Sequence, residues 1–262
     1  MSTLRQRWDA GEETLGVWLS APSSVVAETA ATVNFDYCCI DMQHGAIDYQ
    51  AAVGMIQGIL LAGGTPIARV PWNEQGIIGK MLDAGATGII VPMINSVAEA
   101  EAVVRSCHYP PLGARSFGPI MSLTRDSAYY AKAPNSVAVI PMIETVQAVE
   151  HIDEILAVPG IDAIYVGPAD LSISLGLPPA NNDGEQIFTD ALTTIVAACN
   201  KAGVIAGIHS TGALTPVRRR QGFRMITVTS DLLAMRTGLN SELQATRTSD
   251  PTNPATGSGV MY

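Results

Sequence analysis

The chain has 262 residues, 47% of them hydrophobic and 15% charged, enough to bury one large core without dividing into two domains. A formal net charge of −9 leaves no basic surface to meet phosphates, which argues against nucleic acid and anionic membranes as partners. No apolar run approaches the ~20 residues of a membrane span, and the first eight residues are largely polar.

Short apolar runs rich in β-branched residues alternate with amphipathic stretches, the pattern of βα units around a parallel sheet. Eight runs read as strands, at residues 15–19, 37–41, 66–70, 88–92, 138–144, 163–167, 204–208 and 225–229. Cys38 and Cys39 sit side by side on the second and point to opposite faces, while Cys107 and Cys199 fall in helical stretches. Thiols so dispersed fit a reduced, cytoplasmic protein. Helices are expected over 96–107, 145–157 and 187–202, lengths suited to crossovers. Between the fourth and fifth strands, Tyr109-Pro-Pro-Leu-Gly-Ala-Arg-Ser-Phe-Gly-Pro reads as an ordered loop covering a pocket and shaping substrate access. The basic run at Arg218, Arg219 and Arg220 reads as a solvated helix end.

Eight strands, each followed by a helix, favour a closed (β/α)8 TIM barrel over an open doubly wound sheet. No glycine fingerprint for a dinucleotide follows the first strand. The domain reading is one barrel over residues 1–246 and a flexible tail rich in Pro, Thr, Ser and Gly over 247–262.

In such a barrel, chemistry gathers at the C-terminal ends of the strands. Strand two ends in Asp41-Met-Gln-His-Gly, strand three in Ala68-Arg-Val-Pro, strand five at Glu144, strand six leads to Asp170, and strand seven ends at Ile208 before His209 and Ser210. Glu144 and Asp170 are about one strand-helix unit apart, so a parallel sheet brings them together as hard oxygen ligands for a divalent metal. Each residue also has an ordinary use: a carboxylate at a helix start caps it, Asp41 and His44 build a turn, Arg69 makes a salt bridge, His209 lines a wall. Their joint occurrence at one end of successive strands favours the functional reading.

The stretches Asp41-Met-Gln-His-Gly, Ala68-Arg-Val-Pro, Met81-Leu-Asp-Ala-Gly-Ala, Gly88-Ile-Ile-Val-Pro-Met, Tyr109-Pro-Pro-Leu-Gly-Ala-Arg, Ile143-Glu-Thr, Ile155-Leu-Ala-Val-Pro-Gly-Ile-Asp and Gly167-Pro-Ala-Asp-Leu-Ser resemble the HpcH/HpaI aldolases, metal-dependent class II pyruvate aldolases. The likeness runs in order from about Gly16 to Asp231. It implies a (β/α)8 barrel, a homohexamer with the last helix exchanged between paired subunits, and Mg2+, Mn2+ or Co2+ as cofactor. By the same resemblance Glu144 and Asp170 are the metal ligands, Arg69 stabilises the enolate, and Asp41 with His44 forms the proton-handling dyad. Trp18 matches a pocket residue, and Asp83 a position near the adjoining subunit's site. Many relatives carry Glu at the position of Gln43 and Gln at that of Met142, differences expected to bear on substrate and metal preference.

The residues support that chemistry. A 2-oxo acid can chelate one cation through carboxylate and ketone oxygens, after which loss of a C3 proton gives an enolate. Arg69 is charged at any working pH and suits the developing negative oxygen. His44 has the pKa range to shuttle the aldol hydroxyl proton. The free N–H groups of Ala169 and Asp170 at a helix opening suit the substrate carboxylate. Gln43, His209 and Ser210 complete the expected pocket.

The expectation is reversible aldol addition between pyruvate or hydroxypyruvate and an aldehyde, in a cytoplasmic homo-oligomer. A Schiff-base mechanism lacks an amine at a strand end, since the lysines are Lys80, Lys132 and Lys201. The alternatives are a citrate-lyase-like coenzyme A thioester lyase, which would need more basic groups, and a catalytically silent barrel that binds a 2-oxo acid.

Overall fold

The computed structural model describes residues 3–248 and forms a single eight-stranded parallel sheet rolled into a nearly closed barrel. The short helix α1 (Leu4–Asp9) comes first and places Leu4 and Trp8 against the side chains inside the barrel, so that it plugs the N-terminal mouth. Four units follow: β1 (Thr14–Leu19) with α2 (Ser24–Ala31), β2 (Tyr37–Asp41) with α3 (Tyr49–Leu61), β3 (Pro66–Arg69) with α4 (Gln75–Ala84), and β4 (Gly88–Val91) with α5 (Val97–Cys107). Two extra helices, α6 (Ile120–Arg125) and α7 (Tyr129–Ser136), precede β5 (Ala138–Pro141). The crossover expected as one helix over 145–157 is two, α8 (Val146–Glu150) and α9 (Ile152–Leu156), which divide at His151. Then come β6 (Ala163–Val166), α10 (Pro168–Ser174), α11 (Gln186–Ala202), β7 (Ile205–His209), α12 (Thr215–Gln221), β8 (Met225–Ser230) and α13 (Asp231–Thr248).

The (β/α)8 expectation is met, and its cause is legible in the burial. All residues of β2 to β6 are buried, as strands covered by helices on one face and by the barrel filling on the other must be. Cys38 faces the outer core and Cys39 the interior, and all four thiols are buried and free. Inside, Gly16 makes room for the Tyr37 ring, which would lie 2.0 Å from a side chain there.

The sheet runs in the order β5-β4-β3-β2-β1-β8-β7-β6. Its ends meet at a thinly laced seam: one bridge joins Met142 to Tyr165, with bonds from Ile143 N–H to Tyr165 O (3.0 Å) and Asp162 N–H to Val139 O (3.1 Å). The Asp162 carboxylate takes a further donor of the seam, accepting from Val139 N–H at 2.9 Å.

The segment from Tyr109 to Pro119 departs from expectation. It follows a helix and leads through α6 and α7 into β5, so it lies at the N-terminal end of the barrel, where Arg5 Nη1 donates to Pro134 O. It therefore cannot cover this chain's own pocket. Helix α13 continues to Thr248, and the remainder of the proposed tail lies outside the described residues. Among the described residues no helix is long and apolar enough to cross a membrane.

Candidate active site

Register assembles the first part of the site. Asp41 and Arg69 are aligned partners at the ends of β2 and β3, so both side chains leave the sheet at the same level. Arg69 grips Asp41 with both arms, Nε to Oδ1 at 2.8 Å and Nη2 to Oδ2 at 2.7 Å, in a nearly buried pair. Burial alone would raise the Asp41 carboxyl, but hydrogen bonds and charge from Arg69, with smaller help from the Trp18 indole and the His44 N–H, hold it below its ordinary value. Burial likewise opposes the charge on Arg69, and Asp41 outweighs it.

This arrangement differs from the expected dyad. Asp41 meets His44 through that residue's backbone N–H (3.3 Å), and its carboxylate is committed to Arg69 and to the N–H of Gln43 (3.1 Å). His44 itself stands exposed on the cavity rim.

Glu144 lies three residues past the end of β5 and is 2% exposed. Its Oε1 accepts the Met93 N–H at 2.9 Å, while Oε2 is buried with no hydrogen-bond partner. Burial, opposed by the Met93 bond and reinforced by the negative charge of Asp170, pushes the carboxyl up to about 7. Met93 adopts a left-handed backbone (φ 56°), an uncommon state for a side-chain-bearing residue that aims its N–H at Glu144. Asn95 holds that turn: Nδ2 donates to Met93 O (3.0 Å), its N–H donates to Glu99 Oε2 (2.7 Å), and the Thr145 hydroxyl donates to Asn95 Oδ1.

A cavity of about 450 Å3 opens above these groups, within the usual range for small-molecule sites. Arg69, His44, Asp170, Ala169, Trp18, His209 and Ser210 reach it, as do Tyr165, Gly167, Asn181 and Leu214. Trp18 stacks on Tyr165 at 5.5 Å, meets His209 edge-on at 5.1 Å, and carries the Arg69 guanidinium over its ring at 4.8 Å. Burial and the nearby Arg69 charge lower His209 to about 4, so it is neutral near pH 7. Ser210 Oγ is buried without a partner.

Four expected residues stand apart from the cavity wall: Asp41 and Glu144, buried directly behind it, and Gln43 and Asp83. Gln43 sits beside the Asp41 clamp and its buried Oε1 has no partner. Asp83, at the far end of α4, pairs with Arg115 at 2.6 Å on the opposite side of the barrel. Met93, Tyr165, Gly167, Asn181 and Leu214 were not anticipated as site residues, although the first four of these lie at or just beyond a strand end or in the loop after α10.

Among the described residues no three His, Cys, Asp or Glu side chains cluster as a ready metal cage. Glu144 and Asp170 nevertheless fit a hard divalent cation, because Glu144 Oε2 is a buried oxygen lacking any donor, and such ions take their remaining ligands from water and substrate oxygens.

A model of the family HpcH/HpaI aldolase/citrate lyase matches residues 14–237. The hydroxypyruvate/pyruvate aldolase of Rhizorhabdus wittichii is 39% identical over 234 residues, covering 88% of this chain and 93% of that protein. The 2-dehydro-3,6-dideoxy-6-sulfogluconate aldolase of Pseudomonas putida is 34% identical, covering 88% and 91%. Among solved structures, a HpcH/HpaI aldolase/citrate lyase family protein from Burkholderia cenocepacia J2315 superposes with a TM-score of 0.88 at 32% identity, covering 94% of this chain and 99% of that one.

Proposed function

Because the chain belongs to the HpcH/HpaI aldolase/citrate lyase family, we propose that it is a carbon-carbon lyase of the pyruvate aldolase class, using pyruvate or hydroxypyruvate as donor and an aldehyde as acceptor. The observation that carries the reading is the buried, unpartnered Oε2 of Glu144 beside a cavity that Asp170 and Arg69 share. A divalent cation, Mg2+, Mn2+ or Co2+, held by Glu144 and Asp170 would supply Lewis acidity to the carbonyl of the keto acid.

The chain's own residues do the rest. Arg69, fixed by Asp41, presents its remaining N–H bonds to the ketone oxygen where negative charge gathers as the C3–C4 bond of the 4-hydroxy-2-oxo acid breaks, the aldehyde leaving and C3 then taking a proton from water to give the keto acid. The open N–H groups of Ala169 and Asp170 at the start of α10 receive the substrate carboxylate. His44, on the rim, gives and takes the proton of the aldol hydroxyl. Trp18 and Tyr165 form an apolar wall that excludes water, and Ser210 and the neutral His209 offer hydrogen bonds to substrate oxygens. Gln43 acts beside the clamp.

Lysine chemistry finds no foothold. Lys132 pairs with Asp126, Lys201 with Asp153, and Lys80 lies over Tyr49, and none of them reaches the cavity. A coenzyme A lyase is also disfavoured, since among the described residues the only Lys or Arg lining the cavity is Arg69, already paired with Asp41.

The working form is a cytoplasmic homo-oligomer, hexameric by resemblance, in which Asp83 serves a neighbouring subunit. Helix α13 supports this: it exposes Leu232, Leu233, Met235, Leu239 and Leu243 and touches its own barrel chiefly through β1 and β8. The deciding experiment is pyruvate release from a 4-hydroxy-2-oxo acid, expected to stop in chelator and return with Mg2+ or Mn2+. Turnover indifferent to chelator, or none with any divalent ion, removes the proposal.

A further inference from the structure

The basic run expected to be a solvated helix end divides in two. Arg219 and Arg220 are exposed, and Arg219 pairs with Glu13 at 2.6 Å. Arg218, by contrast, is fully buried and heads the described residues in buried side-chain size. A buried guanidinium needs partners for its fork, and apart from Gln221 on its own helix these come from the irregular segment 176–185 between α10 and α11. Nη1 donates to Asp183 Oδ1 (2.8 Å) and to Gln221 Oε1 (2.7 Å), and Nη2 donates to Asp183 Oδ2 (3.1 Å) and to Asn181 Oδ1. Asn181 Nδ2 closes the ring on Asp183 Oδ2 at 2.7 Å. Beside it, Asn182 Nδ2 donates to Ser172 Oγ (2.8 Å) and Pro178 O (2.9 Å), and Ser172 Oγ donates to Ala180 O (2.9 Å).

This segment has no strand or helix of its own, and beyond backbone bonds near its two ends, such as Leu177 N–H to Ser172 O (2.8 Å) and Glu185 N–H to Asn182 O (2.9 Å), side chains fix its path. Its inner edge, Ala180 and Asn181, lines the catalytic cavity, as does Leu214, one helical turn before Arg218. Arg69 and Glu144, assigned to the keto acid, hang from the ends of β3 and β5 and touch none of this network, while Asp170 bonds none of Arg218, Asp183 or Asn181 although Ser172, on the same helix α10, holds the segment's edge. The cavity thus has two sides held by different side chains and joined at α10.

We propose that Arg218 is a positioning residue for acceptor selection: it sets segment 176–185 as the wall that meets the aldehyde and takes no part in forming the enolate. The inference rests on the aldolase reading and names the wall that chooses its second substrate. Arg218 and Asp183 hold both ends of the Asn181 amide, so they fix the shape that the wall presents and the direction of its remaining N–H. A lysine could not replace the arginine, because a single ammonium cannot span Asp183 and Asn181 as a planar fork does.

The test compares the metal-loaded wild type with Arg218→Met and Asp183→Asn. The second variant alters a side chain that is 27% exposed, so it keeps the question answerable if the first fails to fold. Three readouts are needed: deuterium uptake into pyruvate C3 without acceptor, KM for a two-carbon and a four-carbon hydroxyaldehyde, and amide exchange of segment 176–185. Deuterium uptake and pyruvate KM should stay within about twofold, while acceptor KM rises about tenfold, the preference between the aldehydes shifts about fivefold, and amide exchange quickens in the segment. Folded Asp183→Asn with unchanged acceptor KM and preference, or an equal loss of deuterium uptake, overturns the inference. Wild-type protein that exchanges no pyruvate proton under any divalent ion would instead overturn the aldolase reading itself.

Discussion

Gly167 stands so close to Glu144 that a methyl group on its α-carbon would sit 2.3 Å from Oε2. The missing side chain leaves room for that buried oxygen behind the cavity wall that Gly167 lines. Gly167→Ala should therefore weaken divalent-ion binding by about 100-fold, as changes beside a metal ligand do, and cost roughly 1–3 kcal/mol of stability through overpacking. Calorimetric titration with Mn2+ and thermal melts would measure both, and wild-type affinity in a folded Gly167→Ala would refute the assignment of Glu144 as a ligand.

Arg69→Lys keeps the charge and loses the two-armed grip on Asp41. Proton exchange at pyruvate C3 should fall by about 100- to 1,000-fold, the usual effect of losing one oriented donor at a developing oxyanion. Metal affinity should move little. A lysine variant that exchanges at the wild-type rate removes Arg69 from the chemistry.

Glu144 carries a conflict between fold and function. Its folded value of about 7 exceeds its ordinary 4.5, so between these values the unfolded chain has released the proton that the folded one still holds. The Glu144 contribution to the stability of the metal-free protein should thus fall as pH rises from 4.5 to 7 and level off above, which shows as the difference between wild type and Glu144→Gln at each pH. Glu144→Gln should abolish that slope, raise the melting temperature of metal-free protein at pH 8 by an amount worth at most about 3 kcal/mol, and remove activity. A melting temperature below wild type at pH 8 contradicts this.

His209 acts in the opposite sense. Its folded value of about 4 lies below its ordinary 6.5, so on acidification the unfolded chain binds the proton first. The contribution is complete above pH 6.5 and is lost as pH falls through 4, to a ceiling of about 3 kcal/mol. Denaturant titrations at matched pH should show wild type losing stability relative to His209→Asn as pH falls from 6.5 to 4. Parallel curves would mean that His209 is more solvated than its place against Trp18 and Tyr165 implies.

Much of this was readable from the chain because strand ends announce themselves. Asp41, Arg69 and His209 end β2, β3 and β7, and Glu144 and Asp170 follow β5 and β6 closely, where an apolar run gives way to a charged or polar group. The pairing of Asp41 with Arg69 was hidden, since it depends on a register that no single strand encodes. Met93 was hidden for a different reason: it contributes a backbone N–H, and its side chain carries no trace of that use. Arg218 looked like surface because its burial is created by the distant segment 176–185. The position of Tyr109 to Pro119 was recoverable, because a connection running from helix to strand returns to the opposite mouth of a barrel from the chemistry.

The two proposed ligands stand on either side of the barrel's loosest joint. Glu144 follows β5 and Asp170 follows β6, the pair of strands joined by a single bridge and a few bonds. A cation shared between them would act as a clasp across an almost open ring, making substrate readiness and mechanical closure one event. Loading the enzyme should then slow amide exchange along 138–143 and 162–167 far more than on the opposite staves of the barrel, so the protein would report its own charging as a tightening of its frame.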